Sequence, residues 1–224
     1  MNKIKKNVYY GDVDINSTHL QEMQKKLKGI TKITGNLSIS SNCELKALTS
    51  VGGDLYIYSN CELKALTSVG GYLSISSNCE LKALTSVGGD LYISSNCELK
   101  AEALTSVGGD LSISSNCELK AEALTSVGGD LSIYSNCELK AEALTSVGGY
   151  LSIYSNCELK ALTSVGGDLS IYSNCELKAL TSVGGDLYIY SNCELKAEAL
   201  TSVGGYLSIY SNVKLNIKWL NRII

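Results

Sequence analysis

The sequence has no proline and no phenylalanine, and only one histidine and one tryptophan. With glycine at 21 and tyrosine at 14 residues, that skew is the mark of one short unit copied many times. Nowhere is there an apolar run of about 18 residues, so no hydrophobic helix is expected to cross a bilayer. Positive charge is not in excess either: a formal net charge of −3 leaves no footprint for nucleic acid. Lys3, Lys5 and Lys6 imitate the start of a signal peptide, but the polar residues from Asn7 to Asp14 supply no apolar segment after them. The expectation is a soluble cytoplasmic protein that needs no cofactor and has no membrane or nucleic-acid partner.

What is present is repetition. Aligned on a glycine pair, the unit reads V-G-G-[DY]-L-[SY]-I-[SY]-S-N-C-E-L-K-A-L-T-S and occurs ten times, starting at Ile33, Val51, Val69, Val87, Val107, Val127, Val147, Val165, Val183 and Val203. Four copies are lengthened from 18 to 20 residues by Glu102-Ala103, Glu122-Ala123, Glu142-Ala143 or Glu198-Ala199. An insert tolerated after Lys-Ala in this way is expected to lie in a loop or outer arm.

Within a unit, Asp54-Leu55-Tyr56-Ile57-Tyr58 alternates with period two, which points Leu55 and Ile57 inward and the other three outward. Gly52-Gly53 before the strand and Ser59-Asn60 after it make corners, and Leu63, Leu66 and Val51 complete an apolar lining. A unit this short cannot bury five aliphatic side chains alone, so it must stack on its neighbours at about 4.8 Å to form a parallel ladder. The segment Cys61 to Ser68 carries no glycine or proline, which excludes hairpins and an antiparallel sandwich. The predicted fold class is therefore all-β, a parallel β-solenoid of 18/20-residue coils, about 50 Å long.

The segment Gly35-Asn36-Leu37-Ser38-Ile39-Ser40-Ser41-Asn42-Cys43-Glu44-Leu45 fits G-x-L-x-I-x-x-N-x-x-L, and the pattern returns nine times down to Leu215. In this the chain resembles the leucine-rich-repeat-like solenoids, most closely the receptor L-domain repeats. The resemblance implies a right-handed solenoid in which asparagines such as Asn60 form an inward ladder bonding backbone groups at the corner. Receptor L-domains differ from coil to coil, whereas these copies are nearly identical, which points to recent duplication or to deliberate design.

Both ends depart from the consensus, as a solenoid needs if its terminal coils are to be covered. Residues 1–32 read as an amino-terminal cap. Gly11-Asp12-Val13-Asp14-Ile15 is a degenerate eleventh coil, and a short capping helix over His19 to Lys28 is N-capped by Asn16, Ser17 or Thr18 and stopped by Gly29. Residues 33–212 form the array. Residues 213–224 read as a carboxyl-terminal cap, with Trp219, Leu220, Ile223 and Ile224 covering the last coil.

Stacking turns each repeat position into a row. The nine cysteines form one row, and Val213 takes their place in the last coil, so they read as buried thiols in a reducing compartment, neither disulfides nor a metal site. The row containing Asp54, Asp90, Asp110, Asp130, Asp168 and Asp186 reads as a solvated edge, since no second oxygen-rich segment converges on it for Ca²⁺. Glu62 and Lys64 and their equivalents read as a mutually compensating face, and His19 as a helix-surface residue. Flat hydroxyl-bearing solenoid faces can order water. Tyrosine interruptions and the lack of a threonine ladder argue against ice binding here. Identical coils also lack the asymmetric constellation that catalysis requires, so the chain is not expected to be an enzyme and no catalytic, metal or cofactor-binding residue is assigned.

Copies differ from one another mainly at three outward positions on one sheet, which hold Asp or Tyr (Asn once, at Asn36), Ser or Tyr, and Ser or Tyr. The candidate partner-binding face is accordingly Tyr56, Tyr58, Tyr72, Tyr92, Tyr134, Tyr150, Tyr154, Tyr172, Tyr188, Tyr190, Tyr206 and Tyr210. Tyrosine gives rigid amphipathic contacts and serine adaptable hydrogen bonds, the pairing favoured in antibody paratopes. Tyrosine is also a good strand former whose stacking strengthens a ladder. Two functional classes follow: a non-catalytic protein-binding or adhesion repeat module, whose partner is another protein or a second copy, and a structural or engineered repeat scaffold without a natural ligand.

Overall fold

The computed structural model describes residues 4–190 and 192–217. The chain is a parallel β-solenoid whose coils have three sides. On the first side, Ser-Val strands such as Ser50–Val51 and Ser68–Val69 stack into a sheet of 12 strands, with the antiparallel pair Ile4–Lys5 and Val8–Tyr9 at its amino-terminal end. On the second, Leu-x-Ile strands such as Leu55–Ile57 make a sheet of 11. The third is built from short strands in separate runs of 2, 4 and 4.

Period-two alternation acts as expected. Leu55 and Ile57 are fully buried, while Tyr56 between them is not. The register is in step, with Leu73 opposite Leu55 and Leu91, so each aliphatic lies on its own kind and the lining is continuous from Val13 to Leu200. Val13–Ile15 pairs with Leu37–Ile39, which makes the degenerate segment a true coil.

The glycine pair is required by proximity, since neither residue of it has a positive φ. A Cβ on Gly108 would lie 2.2 Å from the carbonyl oxygen of Gly88, and the same clash recurs down the row. Only glycine lets consecutive corners approach this closely.

Four expectations need correction. The helix, Leu20–Leu27, is present with Leu27 buried and Gly29 at φ +77° behind it, but its N-cap is His19 and no side chain caps it. Asn16 instead accepts from the Thr18 N–H at 3.1 Å, a local turn that diverts the oxygen from the helix. Second, the corner asparagines are exposed and form their ladder on the outside. Asn116 donates to Asn96 Oδ1 at 3.2 Å, and Asn78 Oδ1 accepts the Glu98 N–H at 2.9 Å. The interior is filled by aliphatic side chains and thiols, which leaves the amides to bond at the surface.

Third, a threonine ladder does exist. Thr125 Oγ1 donates to the Thr105 carbonyl at 2.9 Å, and Thr105 to Thr85 at 2.8 Å, so these hydroxyl hydrogens are committed to backbone. Fourth, the Glu-Ala insert does not simply lengthen a loop. In long coils the third-side strand grows from Cys79–Glu80 to Glu98–Lys100, and Cys79 pairs with Leu99. The turn at Lys46-Ala47 becomes Glu102-Ala103, and Ala101 assumes the inward place of Leu45. The added length is absorbed at the preceding corner, where Asn96, Asn116, Asn136 and Asn192 take φ between 57° and 65°. Asparagine tolerates that left-handed conformation.

At the carboxyl end, Lys214–Asn216 pairs with Glu194–Lys196 and Ile217 is buried. The expected cap residues Trp219, Leu220, Ile223 and Ile224 lie outside the described residues.

Candidate functional site

The second-side sheet carries the tyrosines in three rows, because strand alternation sends the residues before, between and after Leu and Ile outward together. Tyr72, Tyr150 and Tyr206 occupy the first row, Tyr56, Tyr92 and Tyr188 the second, and Tyr58, Tyr134, Tyr154, Tyr172, Tyr190 and Tyr210 the third. The structure brings five of the third-row rings into one parallel stack. From Tyr134 through Tyr154, Tyr172 and Tyr190 to Tyr210, centroids are 5.6, 4.2, 4.0 and 4.9 Å apart, with planes within 13° of parallel. A separate cluster joins Tyr56 to Tyr58 and Tyr72. Tyr92 stands apart from both stacks, its hydroxyl 3.0 Å from Ser114 Oγ.

Stacking decides what the row can offer. Inner rings give both faces to their neighbours and present only an edge and a hydroxyl to solvent. Faces are what sugar rings would need, so a carbohydrate stacking platform is excluded for the inner rings. What remains is a comb of phenol groups at strand spacing, flanked by Tyr150 and Tyr206, the latter 79% exposed. Serines fill the gaps: Ser74, flanked in register by Tyr56 and Tyr92, is buried.

Hydrogen bonds hold part of the comb in place. Tyr188 donates its hydroxyl to Asp186 Oδ2 at 2.5 Å, which pushes the phenol up to about 12 and draws the Asp186 carboxyl down. Tyr172 is likewise raised, by hydrogen bonding with Tyr190 and then by burial within the stack.

The aspartate position proves to have a structural duty that the sequence reading missed. Asp110 Oδ1 accepts the backbone N–H of Asp130 at 2.8 Å, Asp130 Oδ1 that of Tyr150 at 2.7 Å, and Asp186 Oδ1 that of Tyr206 at 2.7 Å. Asn36 performs the same service for the Asp54 N–H at 2.8 Å. Asparagine in that place was the available signal, since it keeps the acceptor oxygen of aspartate without its charge.

The Glu and Lys rows are not idle either. In short coils the pair closes within the coil, as Lys64 to Glu62 at 3.1 Å. In long coils lysine reaches back to the previous coil, as Lys120 to Glu98 at 2.6 Å and Lys140 to Glu118 at 3.0 Å. Their constancy between copies therefore has a structural cause.

All nine cysteines are thiols. Seven are buried, whereas Cys61 and Cys157 are only half-buried. Burial pushes the Cys43 thiol up to about 11. Among the described residues, no three His, Cys, Asp or Glu side chains converge as a metal site, and no helix is long and apolar enough to cross a membrane. Set against protein-family models, curated proteins and solved structures, the chain matches none of them.

Proposed function

We propose that this solenoid is a non-catalytic recognition or adhesion module that engages a protein, or a second copy of itself, through the tyrosine and serine face. The observation that carries this reading is the five-ring stack from Tyr134 to Tyr210 on the one sheet face where copies differ. Its rings are already immobilised against one another, so a partner meets edges and hydroxyls with little side-chain entropy left to lose. The likeness to leucine-rich-repeat-like solenoids points the same way, toward presentation of a strand face. The working location proposed is the cytoplasm, where nine thiols stay reduced.

The test replaces Tyr154, Tyr172 and Tyr190 together by serine, the residue that other coils carry in that row. Circular dichroism is expected to show an intact fold. Light scattering and affinity capture from the native source are expected to lose whatever assembly or specific partner the unaltered chain shows. An unaltered chain that is monomeric and captures nothing, or a variant that keeps every interaction, sinks the reading and leaves a structural scaffold without a ligand.

A further inference from the structure

The third side breaks twice, once between the short coils of Cys61 and Cys79 and once where a long coil hands over to a short one. Glu138–Lys140 ends one run of strands and Cys157–Glu158 begins the next, and the two are not paired. A cleft of about 490 Å³ opens at this junction, lined by Leu139, Asn156, Cys157, Cys175 and the surrounding Glu and Lys side chains.

The thiols here differ from those of the long coils. Cys117 and Cys137 are buried and donate to the carbonyls of Ser94 and Ser114, both at 2.8 Å. Cys157 instead lies in register with Cys175 of the next coil, and the two sulfurs are 3.5 Å apart. Cys157 is half-buried at the cleft, and Cys175 is buried behind it. A short coil stacks cysteine on cysteine without the left-handed asparagine corner of the long coils, so the thiol meets its neighbour's thiol.

We propose that Cys157 and Cys175 form a dithiol site for soft, thiophilic species that bind through two sulfurs, trivalent arsenicals being the class that fits. Two sulfurs at this separation bracket a centre bonded at about 2.3 Å with a bent angle near 100°, too narrow for linear two-sulfur coordination. Tetrahedral zinc needs further ligands, which the described residues do not bring together here. Pyramidal trivalent arsenic needs only two sulfurs and keeps its third substituent, for which the cleft has room. With an arylarsine oxide, both S–H bonds and the As=O bond break and two As–S bonds form. The two protons leave with the oxygen as water, and nothing is oxidised or reduced. Cys157 faces the cleft and adds first. Cys175, whose proton is held by its hydrogen bond with Cys157 and by burial, closes the chelate.

Phenylarsine oxide added to the reduced, folded full chain is the probe. Intact mass and peptide mapping are expected to place an adduct across Cys157 and Cys175 that shields both from N-ethylmaleimide and is removed by a small dithiol. Cys157→Val, the residue that the chain itself carries at the equivalent Val213, is expected to bind one equivalent fewer. Cys117→Val is expected to bind as the unaltered chain does. Should Cys157→Val fail to fold, Cys157→Ser and the map on the unaltered chain decide. Undiminished stoichiometry in the Cys157 variants, an adduct mapped elsewhere, or no adduct overturns the proposal.

Discussion

Gly108 shows how narrow the choices are when coils stack. Its absent Cβ is what allows the Gly88 carbonyl to approach, and alanine there must push two coils apart against hydrogen bonds on both sides. Gly108→Ala is expected to cost about 1–3 kcal/mol in denaturant unfolding, as overpacked sites do. Asp110 is a gentler case, since Asp110→Ala removes one acceptor for a backbone N–H, a loss of about 1 kcal/mol. Asp110→Asn is expected to leave the melting temperature nearly unchanged, because Asn36 already bonds the next coil with its amide oxygen. Both variants lose the charge and only asparagine keeps the acceptor oxygen, so melting curves separate the hydrogen bond from the carboxylate. That role was not legible in the sequence: a row of like charges looks solvated until the distance to the next coil's N–H is known. The lining of Leu55, Ile57, Leu63 and Val51 was legible, because alternation and aliphatic chemistry fix direction without that distance.

The third side is where the two coil lengths act differently. Aligning copies by identity puts the extra Glu-Ala after Lys-Ala, yet hydrogen bonding carries the shift back to the asparagine corner, because Leu99 rather than Cys97 then pairs with Cys79. No pattern within one coil records that choice. It does set the ion pairs, since the lengthened strand turns its lysine toward the preceding coil. Lys120→Ala, which breaks a bridge between coils, is expected to lower the melting temperature and its salt sensitivity, whereas Lys64→Ala, on a more exposed pair within one coil, leaves both nearly alone. Glu176 gives the pH signature of such a bridge. Hydrogen bonds from Lys196 and then Lys178 hold its carboxyl at about 2, below the ordinary value of about 4.3. Its contribution is complete above the unfolded value and is lost as pH falls through about 2. Glu176→Gln is therefore expected to lower the melting temperature at neutral pH, to leave it unchanged below about 2, and so to shallow the acid limb over that window.

Stacked coils touch only their neighbours, so stability is a sum of coil terms and interface terms, and the weakest interface decides where the rod opens. The first two sides run unbroken along the array, but the third is interrupted twice, between Glu62 and Cys79 and between Lys140 and Cys157. The coils beginning at Val147 and Val165 are the only short ones between long coils; their strands open the second run of four, and the seam lies between the first of them and the long coil before it. Unfolding is expected to begin at this seam, and hydrogen exchange to report faster opening at Cys157 and Glu158 than at Glu118 and Leu119. Inserting Glu-Ala after Ala161 and again after Ala179 would make both coils long and give the third side one continuous register from Cys79 to Asn216. Each restored backbone bond contributes on the order of 1 kcal/mol, so the double insert is expected to raise the melting temperature and slow exchange at the former seam. It would also rebuild the corner at Asn156 in the left-handed form and redirect the Cys157 thiol toward a carbonyl, as in Cys117 and Cys137. If the seam protects no better after the insertions, coil length is not what sets the break, and the uneven placement of Glu-Ala along the chain has no bearing on how the rod holds together.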